Sequence, residues 1–116
     1  MSAEANHPNV TAIIVNWNSG EQLRHCLASL QGQCHAIVVD NGSTDNSCDG
    51  IQNLPGVTLI HAQENLGFGK ACNLGAHGLD SDYLLFLNPD AAVFPDTLEK
   101  ALYAMQSPEY ADIAIC

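Results

Sequence analysis

Basic residues are scarce in this chain, and the shortage limits the partners that it can bind. Only three of its 116 residues are lysine or arginine, against thirteen aspartates and glutamates, so the formal net charge is −10. Such a charge repels the phosphates of nucleic acids and anionic membrane surfaces. We therefore expect no nucleic-acid partner. A phosphorylated small molecule would need a divalent ion or helix N-termini, because Arg24, Lys70 and Lys100 are the only fixed cations.

Long apolar runs and paired cysteines are also missing. No apolar run approaches the roughly 20 residues of a transmembrane helix, and the first nine residues lack the features of a signal peptide. The five cysteines form an odd set without C-x-x-C spacing, which favours a reduced, cytoplasmic setting. We expect a flexible tail over residues 1–9 and one domain over residues 10–116.

Short apolar runs alternate with segments that have the period of a helix. The runs predict strands at residues 10–15, 36–40, 57–61, 83–87 and 113–116. The periodic segments predict helices at residues 21–31, shortly after Ser43, at residues 68–79 and from Pro95. This order is typical of an α/β fold, so we predict a Rossmann-like parallel sheet with helices on both faces.

Polar segments follow the first four predicted strands, at residues 16–19, 40–43, 63–67 and 88–90. Each segment taken alone is also typical of an ordinary turn. The carboxyl ends of parallel strands share one edge of a sheet, where ligands of such folds bind. The four segments together therefore predict one crevice with converging polar groups.

Two aspartates and a glycine-rich helix start are the candidate binding groups. Asp40 either accepts hydrogen bonds from a nucleobase or ribose or belongs to a turn and helix cap. Asp90 is either a ligand of Mg²⁺ or Mn²⁺ or a solvated turn residue. Gly67 and Lys70 either face a phosphate at the start of the third predicted helix or lie in a solvated loop. For Trp17 we weigh a stacking platform against a packing residue and favour the packing residue.

Four motifs follow one another along the chain: Val15-Asn16-Trp17-Asn18, Val38-Val39-Asp40-Asn41-Gly42-Ser43-Thr44-Asp45, Glu64-Asn65-Leu66-Gly67-Phe68-Gly69-Lys70-Ala71-Cys72-Asn73-Leu74-Gly75 and Leu87-Asn88-Pro89-Asp90-Ala91. In this order they resemble the motifs of glycosyltransferase family 2, whose fold is called GT-A. The resemblance runs from about residue 10 to the end of the chain, and its Gly-Phe-Gly and Asn-Pro-Asp forms are similar to those of bacterial rhamnosyltransferases and galactofuranosyltransferases. One departure is Asn88, which replaces the first carboxylate of the family's D-x-D motif.

The resemblance implies the nucleotide-sugar-binding half of an inverting glycosyltransferase that acts in polysaccharide biosynthesis. It implies a nucleoside-diphosphate sugar as donor, Mg²⁺ or Mn²⁺ as cofactor, a glycan or polysaccharide as acceptor, and Asp90 as metal ligand. The catalytic base is expected in a C-terminal portion beyond this chain, so we expect the chain alone to be inactive and its uncovered surface to support self-association. The implied nucleotide-binding residues are Asn16, Asp40, Asn65, Gly67, Lys70 and Asn88.

A different class of function stays open on the sequence alone. The same binding groups could serve a non-catalytic nucleotide-sugar-binding or interaction module, since no residue of this chain is assigned as the catalytic base. A titration with nucleoside diphosphate separates binding from no binding, and an activity assay separates the enzyme from the module.

Overall fold

The chain folds as a parallel sheet with helices on both faces, which confirms the predicted α/β architecture. The computed structural model describes residues 10–81 and 83–91. The predicted tail, the helix from Pro95 and the strand at residues 113–116 lie outside these residues. The sheet has the order β3-β2-β1-β4. Its strands are β1 (Val10–Asn16), β2 (His35–Asp40), β3 (Val57–His61) and β4 (Tyr83–Leu87), and the helices are α1 (Gln22–Leu30) and α2 (Phe68–Ala76).

Strand β1 is central and is buried along its whole length. Successive side chains of a strand point to opposite faces, so its apolar run divides between two cores. Ala12 and Ile14 pack in the core formed with α1, whereas Ile13 and Val15 pack in the core formed with α2. A run of apolar residues without alternation is therefore what this position requires.

Gly75 faces the sheet from helix α2, at a position where there is no room for a side chain. A Cβ atom on Gly75 would lie 2.8 Å from Ile13 Cγ2 and 2.9 Å from Val39 Cγ2, closer than carbon atoms pack. The helix ends at Ala76, three residues before the predicted end, because His77 is extended and Gly78 has a left-handed φ of 74°. Among the described residues, no helix is both long and apolar enough to cross a membrane.

The helix predicted shortly after Ser43 is wrong as an α-helix. Residues 46–54 instead form successive turns, and the only regular element among them is a short 3₁₀ helix, Ile51–Asn53. Two local features prevent a longer helix. The Asp45 carboxylate accepts hydrogen bonds from the backbone and hydroxyl of Ser47, and Gly50 has a left-handed φ of 74°. The segment still buries Ile51 against the α1 side of the sheet.

Candidate functional site

The polar residues that follow the strands lie along one edge of the sheet. The parallel register places Asn16 beside Asp40, and Asp40 beside His61 at the end of β3. On the other side of β1, the pair Ile14 and Leu87 places Asn88 one residue beyond β4 at the same edge. The structure thus brings the predicted segments to one edge.

Asn16 lies beneath this edge and is fully buried. Its amide nitrogen donates to Ser47 Oγ at 2.9 Å and Ser43 Oγ at 3.1 Å, and lies 3.4 Å from Asp40 Oδ1. Its carboxamide oxygen is buried without a hydrogen-bond partner in the described part of the chain. Asn16 therefore joins the end of β1 to the loop after β2.

Asp40 has one oxygen turned into the protein and one turned toward the edge. Oδ1 accepts hydrogen bonds from Asn16 and from the backbone of Ser43, at 3.4 and 3.3 Å. Oδ2 lies 3.5 Å from Nδ1 of His61, whose side chain is 67% exposed whereas that of Asp40 is 11% exposed. The inner oxygen is thus engaged by two donors of the protein, whereas Oδ2 lies beside the exposed His61 side chain. Sequence reasoning missed His61, which only the strand register identifies.

Hydrogen bonds join the loop after β1 to the loop after β2. The Asn18 carboxamide oxygen accepts from the backbone of Thr44 at 2.8 Å and of Asp45 at 3.1 Å, while the Asn18 backbone donates to Ser43 Oγ at 2.9 Å. Asp45 also accepts from the backbone of Gly20 at 3.0 Å. We call these two joined loops, residues 17–20 and 43–47, the edge clasp.

The carboxylate of Asp45 is stabilised in its charged form within the edge clasp. Hydrogen bonds, above all from the Ser47 hydroxyl and then from the Ser47 and Gly20 backbones, hold the pKa of Asp45 below its usual value. A lowered pKa means that this contribution to stability is present above the ordinary aspartate range and is lost as pH falls through the pKa of the folded protein.

A second pair of loops is held by Asn41 and Asn65. The buried Asn41 donates to Asn65 Oδ1 at 3.1 Å and accepts from the backbone of Leu66 at 2.8 Å. Asn65 Oδ1 also accepts from the backbone of Gly67 at 2.8 Å. The Asn65 carboxamide oxygen therefore shapes the turn that leads into α2. This turn places Gly67, with a φ of 82°, immediately before the helix, and Lys70 exposed in its first turn.

Asn88 and Asp90 form an exposed turn directly after β4. The turn is closed by a hydrogen bond of 3.0 Å from the backbone N–H of Ala91 to the backbone carbonyl oxygen of Asn88. The same oxygen also accepts from Cys26 Sγ at 3.8 Å. Burial, followed by the charges of Asp90 and Cys34, raises the pKa of Cys26 to about 11. The negative charge of Asp90 thus lies near the end of β4 and remains exposed to solvent.

The described residues contain no cluster of three or more histidine, cysteine, aspartate or glutamate side chains that would hold a metal ion alone. Asp90 fits a more limited role, as one carboxylate for an ion whose other ligands are water and the oxygens of a diphosphate. The cysteines do not fit. Burial and the Asp40 carboxylate raise the pKa of Cys48 to about 11, so its thiol stays protonated at neutral pH.

Two aromatic residues lie on the surface, against expectation. Trp17 is 55% exposed, so its interpretation as a packing residue is wrong. Phe68, a large apolar residue in the predicted third helix, is 56% exposed. The reason is position: Trp17 follows the last residue of β1, and Phe68 is the first residue of α2. Both aromatic rings therefore lie at the ends of elements that reach the carboxyl edge.

A pocket of about 200 Å³ lies elsewhere, near the opposite edge of the sheet. It is lined mainly by apolar groups around the end of α1 and the starts of β2 and β3, among them Leu27, Leu30, Cys34, Pro55 and Val57. We give it no weight as the functional site, because the converging polar groups lie at the carboxyl edge.

The sequence matches known proteins over nearly its whole length. Residues 11–116 match the model of "Glycosyl transferase family 2". An uncharacterized glycosyltransferase of Escherichia coli K12, YibD, is 33% identical over 115 residues, which cover 92% of this chain and 33% of that protein. A Mycobacterium tuberculosis protein named N-acetylglucosaminyl-diphospho-decaprenol L-rhamnosyltransferase is 31% identical over 108 residues, covering 79% of this chain and 35% of that protein.

Solved structures agree on the fold. Staphylococcus aureus TarS, in a crystal structure of residues 1–349, superposes with a TM-score of 0.72 at 22% identity, covering 84% of this chain and 32% of that chain. This chain thus spans about a third of the length of the relatives that it matches. With a family model that matches nearly all of it, the chain belongs to glycosyl transferase family 2.

Proposed function

We propose that this chain binds the nucleoside diphosphate of a sugar donor, as the donor-binding part of an inverting glycosyltransferase. The observation that carries the proposal is the fixed carboxylate of Asp40 at the carboxyl edge. Its inner oxygen, Oδ1, accepts hydrogen bonds from Asn16 and Ser43, which fixes the orientation of the outer oxygen, Oδ2. A carboxylate fixed in this way is ready to accept hydrogen bonds from the N–H or O–H groups of a nucleoside.

The nucleoside would lie between Asp40 and the exposed ring of Trp17. Any nucleobase can stack on an aromatic ring, and such stacking contributes about 1–3 kcal/mol per base. His61, beside the outer oxygen of Asp40, would border the same space. Asn16 would act from beneath by holding the Asp40 carboxylate, because its own side chain is buried.

The diphosphate would lie at the start of α2. Helix N-termini attract anions through their free N–H groups, and Lys70 adds a positive charge in the first turn. The contacts of Asn41 and Asn65 bring this turn next to the strand end that carries Asp40. Nucleoside and diphosphate positions are therefore adjacent along one edge.

Asp90 would hold a divalent ion, Mg²⁺ or Mn²⁺, together with the diphosphate oxygens, and Asn88 would stay near them as a neutral amide. When bound, the ion neutralises charge that develops on the departing diphosphate. The acceptor, a glycan or polysaccharide hydroxyl, and the base that takes its proton would belong to parts of the protein beyond the described residues. The mycobacterial relative's name supports the rhamnosyltransferase-like branch.

Calorimetry of the 116-residue chain tests the proposal, with uridine, uridine diphosphate and thymidine diphosphate as probes and with Mn²⁺ or a chelator present. We expect Asp40→Asn to weaken binding of nucleoside and diphosphate alike by about 1–3 kcal/mol, because a buried hydrogen-bond set loses its charged acceptor. Asp80→Asn is the matched control, since this exposed aspartate precedes β4 at the opposite edge. Loss confined to the diphosphates would remove Asp40 from the nucleoside position.

The metal role has its own test. We expect Asp90→Ala to abolish the gain in diphosphate affinity that Mn²⁺ brings and to leave metal-free binding and folding intact, because the residue is exposed in a turn. Equal affinity of the variant and the wild type in Mn²⁺ would exclude Asp90 as the ligand. A non-catalytic binding module would give the same binding results, so only an assay of sugar transfer by a longer chain separates it from the enzyme.

A further inference from the structure

The edge clasp is built around one side chain that the proposed function does not use. The Asn18 carboxamide oxygen accepts hydrogen bonds from two successive backbone N–H groups, those of Thr44 and Asp45. The Thr44 hydroxyl lies at 3.5 Å from the same oxygen. Asn18 is itself exposed to solvent. These contacts therefore join two surface loops.

The backbone conformation at position 18 restricts which residues can occupy it. Its φ is 51°, and it is the only residue other than glycine with a positive φ in the described part of the chain. Asparagine and aspartate tolerate this left-handed conformation better than other residues with a side chain. Both also carry a short side-chain oxygen that can accept hydrogen bonds from a neighbouring loop. Position 18 thus needs both a backbone conformation and an acceptor.

The clasp connects the two groups between which we place the nucleoside. Ser43 Oγ accepts from the Asn18 backbone, while the Ser43 backbone donates to the inner oxygen of Asp40. Trp17 precedes Asn18 directly, with Asn16 fixed below it. Any shift of the second loop relative to the first would therefore change the spacing between the Trp17 ring and the Asp40 carboxylate.

We propose that Asn18 is a positioning residue, whose carboxamide fixes Trp17 relative to Asp40 and so preorganises the nucleoside position without touching the nucleoside. The inference rests on the proposed function. It differs from a general stabilising role in one respect: loss of the carboxamide should loosen Trp17 and weaken nucleoside binding while the two cores stay folded. Ordering a binding surface in advance raises affinity because less freedom is lost on binding.

Two substitutions separate the carboxamide from the backbone conformation. Asn18→Gly keeps the left-handed φ but removes the acceptor, whereas Asn18→Asp keeps both. Asn53→Gly serves as the matched control, because Asn53 is an exposed asparagine at the end of the 3₁₀ helix, away from the clasp. Uridine is the main probe, since it carries no phosphate and is not repelled by the charge that Asn18→Asp adds.

The readout is built into the chain, because Trp17 is its only tryptophan. Fluorescence anisotropy and acrylamide quenching of Trp17 in the free protein report the mobility and exposure of the residue next to Asn18. In Asn18→Gly we expect lower anisotropy, stronger quenching and a uridine Kd raised about five- to tenfold. The Tm should fall by no more than about 5 °C. Asn18→Asp should restore all of these values, and Asn53→Gly should change none of the Trp17 signals.

Each result decides the matter. Unchanged Trp17 anisotropy and quenching in Asn18→Gly would overturn the proposal, as would a variant that does not fold, because Asn18 would then support the fold itself. Failure of Asn18→Asp to restore uridine affinity and the Trp17 signals would also overturn it. If the wild type binds neither uridine nor uridine diphosphate, the proposed function fails, whereas the Trp17 measurements still show whether the clasp fixes this residue.

Discussion

At the scale of single residues, the Asp40 carboxylate affects a neighbour that no binding assay detects. Cys48 lies in the loop after β2, where its thiol hydrogen-bonds to the Asp40 carboxylate and accepts from the Asn16 amide at 3.3 Å. Burial, followed by the charge and hydrogen bond of Asp40, raises the pKa of Cys48 to about 11. The thiolate is the reactive form, so burial and the Asp40 carboxylate together keep this half-buried cysteine inert at neutral pH.

We therefore predict that Asp40→Asn accelerates alkylation of Cys48. The substitution removes the negative charge that opposes thiolate formation, while the larger effect of burial remains, so we expect a rate about three to ten times higher with iodoacetamide at pH 8. Peptide mass spectrometry measures the rate at this cysteine. Asp90→Ala is the control, because its charge affects Cys26 and not Cys48. An unchanged Cys48 rate in Asp40→Asn would mean that the carboxylate does not face the thiol.

Sequence reasoning found the candidate residues of the site better than it found their surroundings. Asp40 and Asp90 are identified as candidates because each lies at or just after the carboxyl end of a predicted strand, where ligands of parallel sheets bind. The burial of Asn16, the exposure of Trp17 and the closeness of His61 to Asp40 depend on contacts between loops and on strand register. These are long-range features, which a local pattern of residue types does not encode. The binding roles of all these residues stay predictions.

At the scale of elements, the close approach of α2 to the sheet depends on Gly75. We predict that Gly75→Ala destabilises the protein by about 1–2 kcal/mol. The new methyl group would overlap branched side chains of Ile13 and Val39, an overpacking that costs about 1–3 kcal/mol, and the better helix propensity of alanine offsets less than about 1 kcal/mol of this. Urea unfolding, with the midpoint and slope compared, measures the change.

Gly69→Ala provides the control within the same helix. A Cβ atom at Gly69 meets nothing within 4 Å, and its φ is not left-handed, so alanine there should be neutral or stabilising by up to about 1 kcal/mol. If Gly75→Ala were as stable as Gly69→Ala, α2 would be free to move away from the sheet, and the close packing would not restrain the helix that carries Lys70.

Periodicity predicted the strands well, but it predicted a helix after Ser43 where local hydrogen bonds form turns instead. Strands β1 to β4 differ from prediction by at most one residue at an end, because buried parallel strands require continuous apolar runs. The segment after Ser43 has cap residues and spaced apolar residues, the pattern of a helix start. There the carboxylate of Asp45 and the left-handed Gly50 favour turns, and tertiary contacts to the loop after β1 hold them.

At the scale of the whole molecule, the charge of the chain limits how it can bind a diphosphate. The net charge of −10 leaves few cations for a diphosphate. Arg24 donates to the backbone oxygen of Asp49. Within the described residues, Lys70 is therefore the basic side chain that remains for a diphosphate at the proposed site. A divalent ion therefore fits the electrostatics of the chain better than direct binding by basic side chains. Self-association stays a prediction, and Trp17, Phe68 and Leu74 are the large apolar residues exposed in the described part.

We expect no sugar transfer by the 116-residue chain. The chain spans about a third of the length of its relatives. Two acids in and beneath the edge clasp already accept hydrogen bonds within the protein. Asp40 accepts from Asn16 and Ser43, and Asp45 accepts from Ser47 and Gly20. An inverting transfer needs a further group to take the acceptor's proton. We therefore expect the purified 116-residue chain to bind uridine or thymidine diphosphate but to release none from the corresponding nucleotide sugars above the buffer rate. A coupled assay for released nucleoside diphosphate measures this, alongside calorimetry on the same sample as the control for folding. Release that scales with protein concentration and is lost in Asp90→Ala would contradict the prediction, because it would place a working base within these 116 residues.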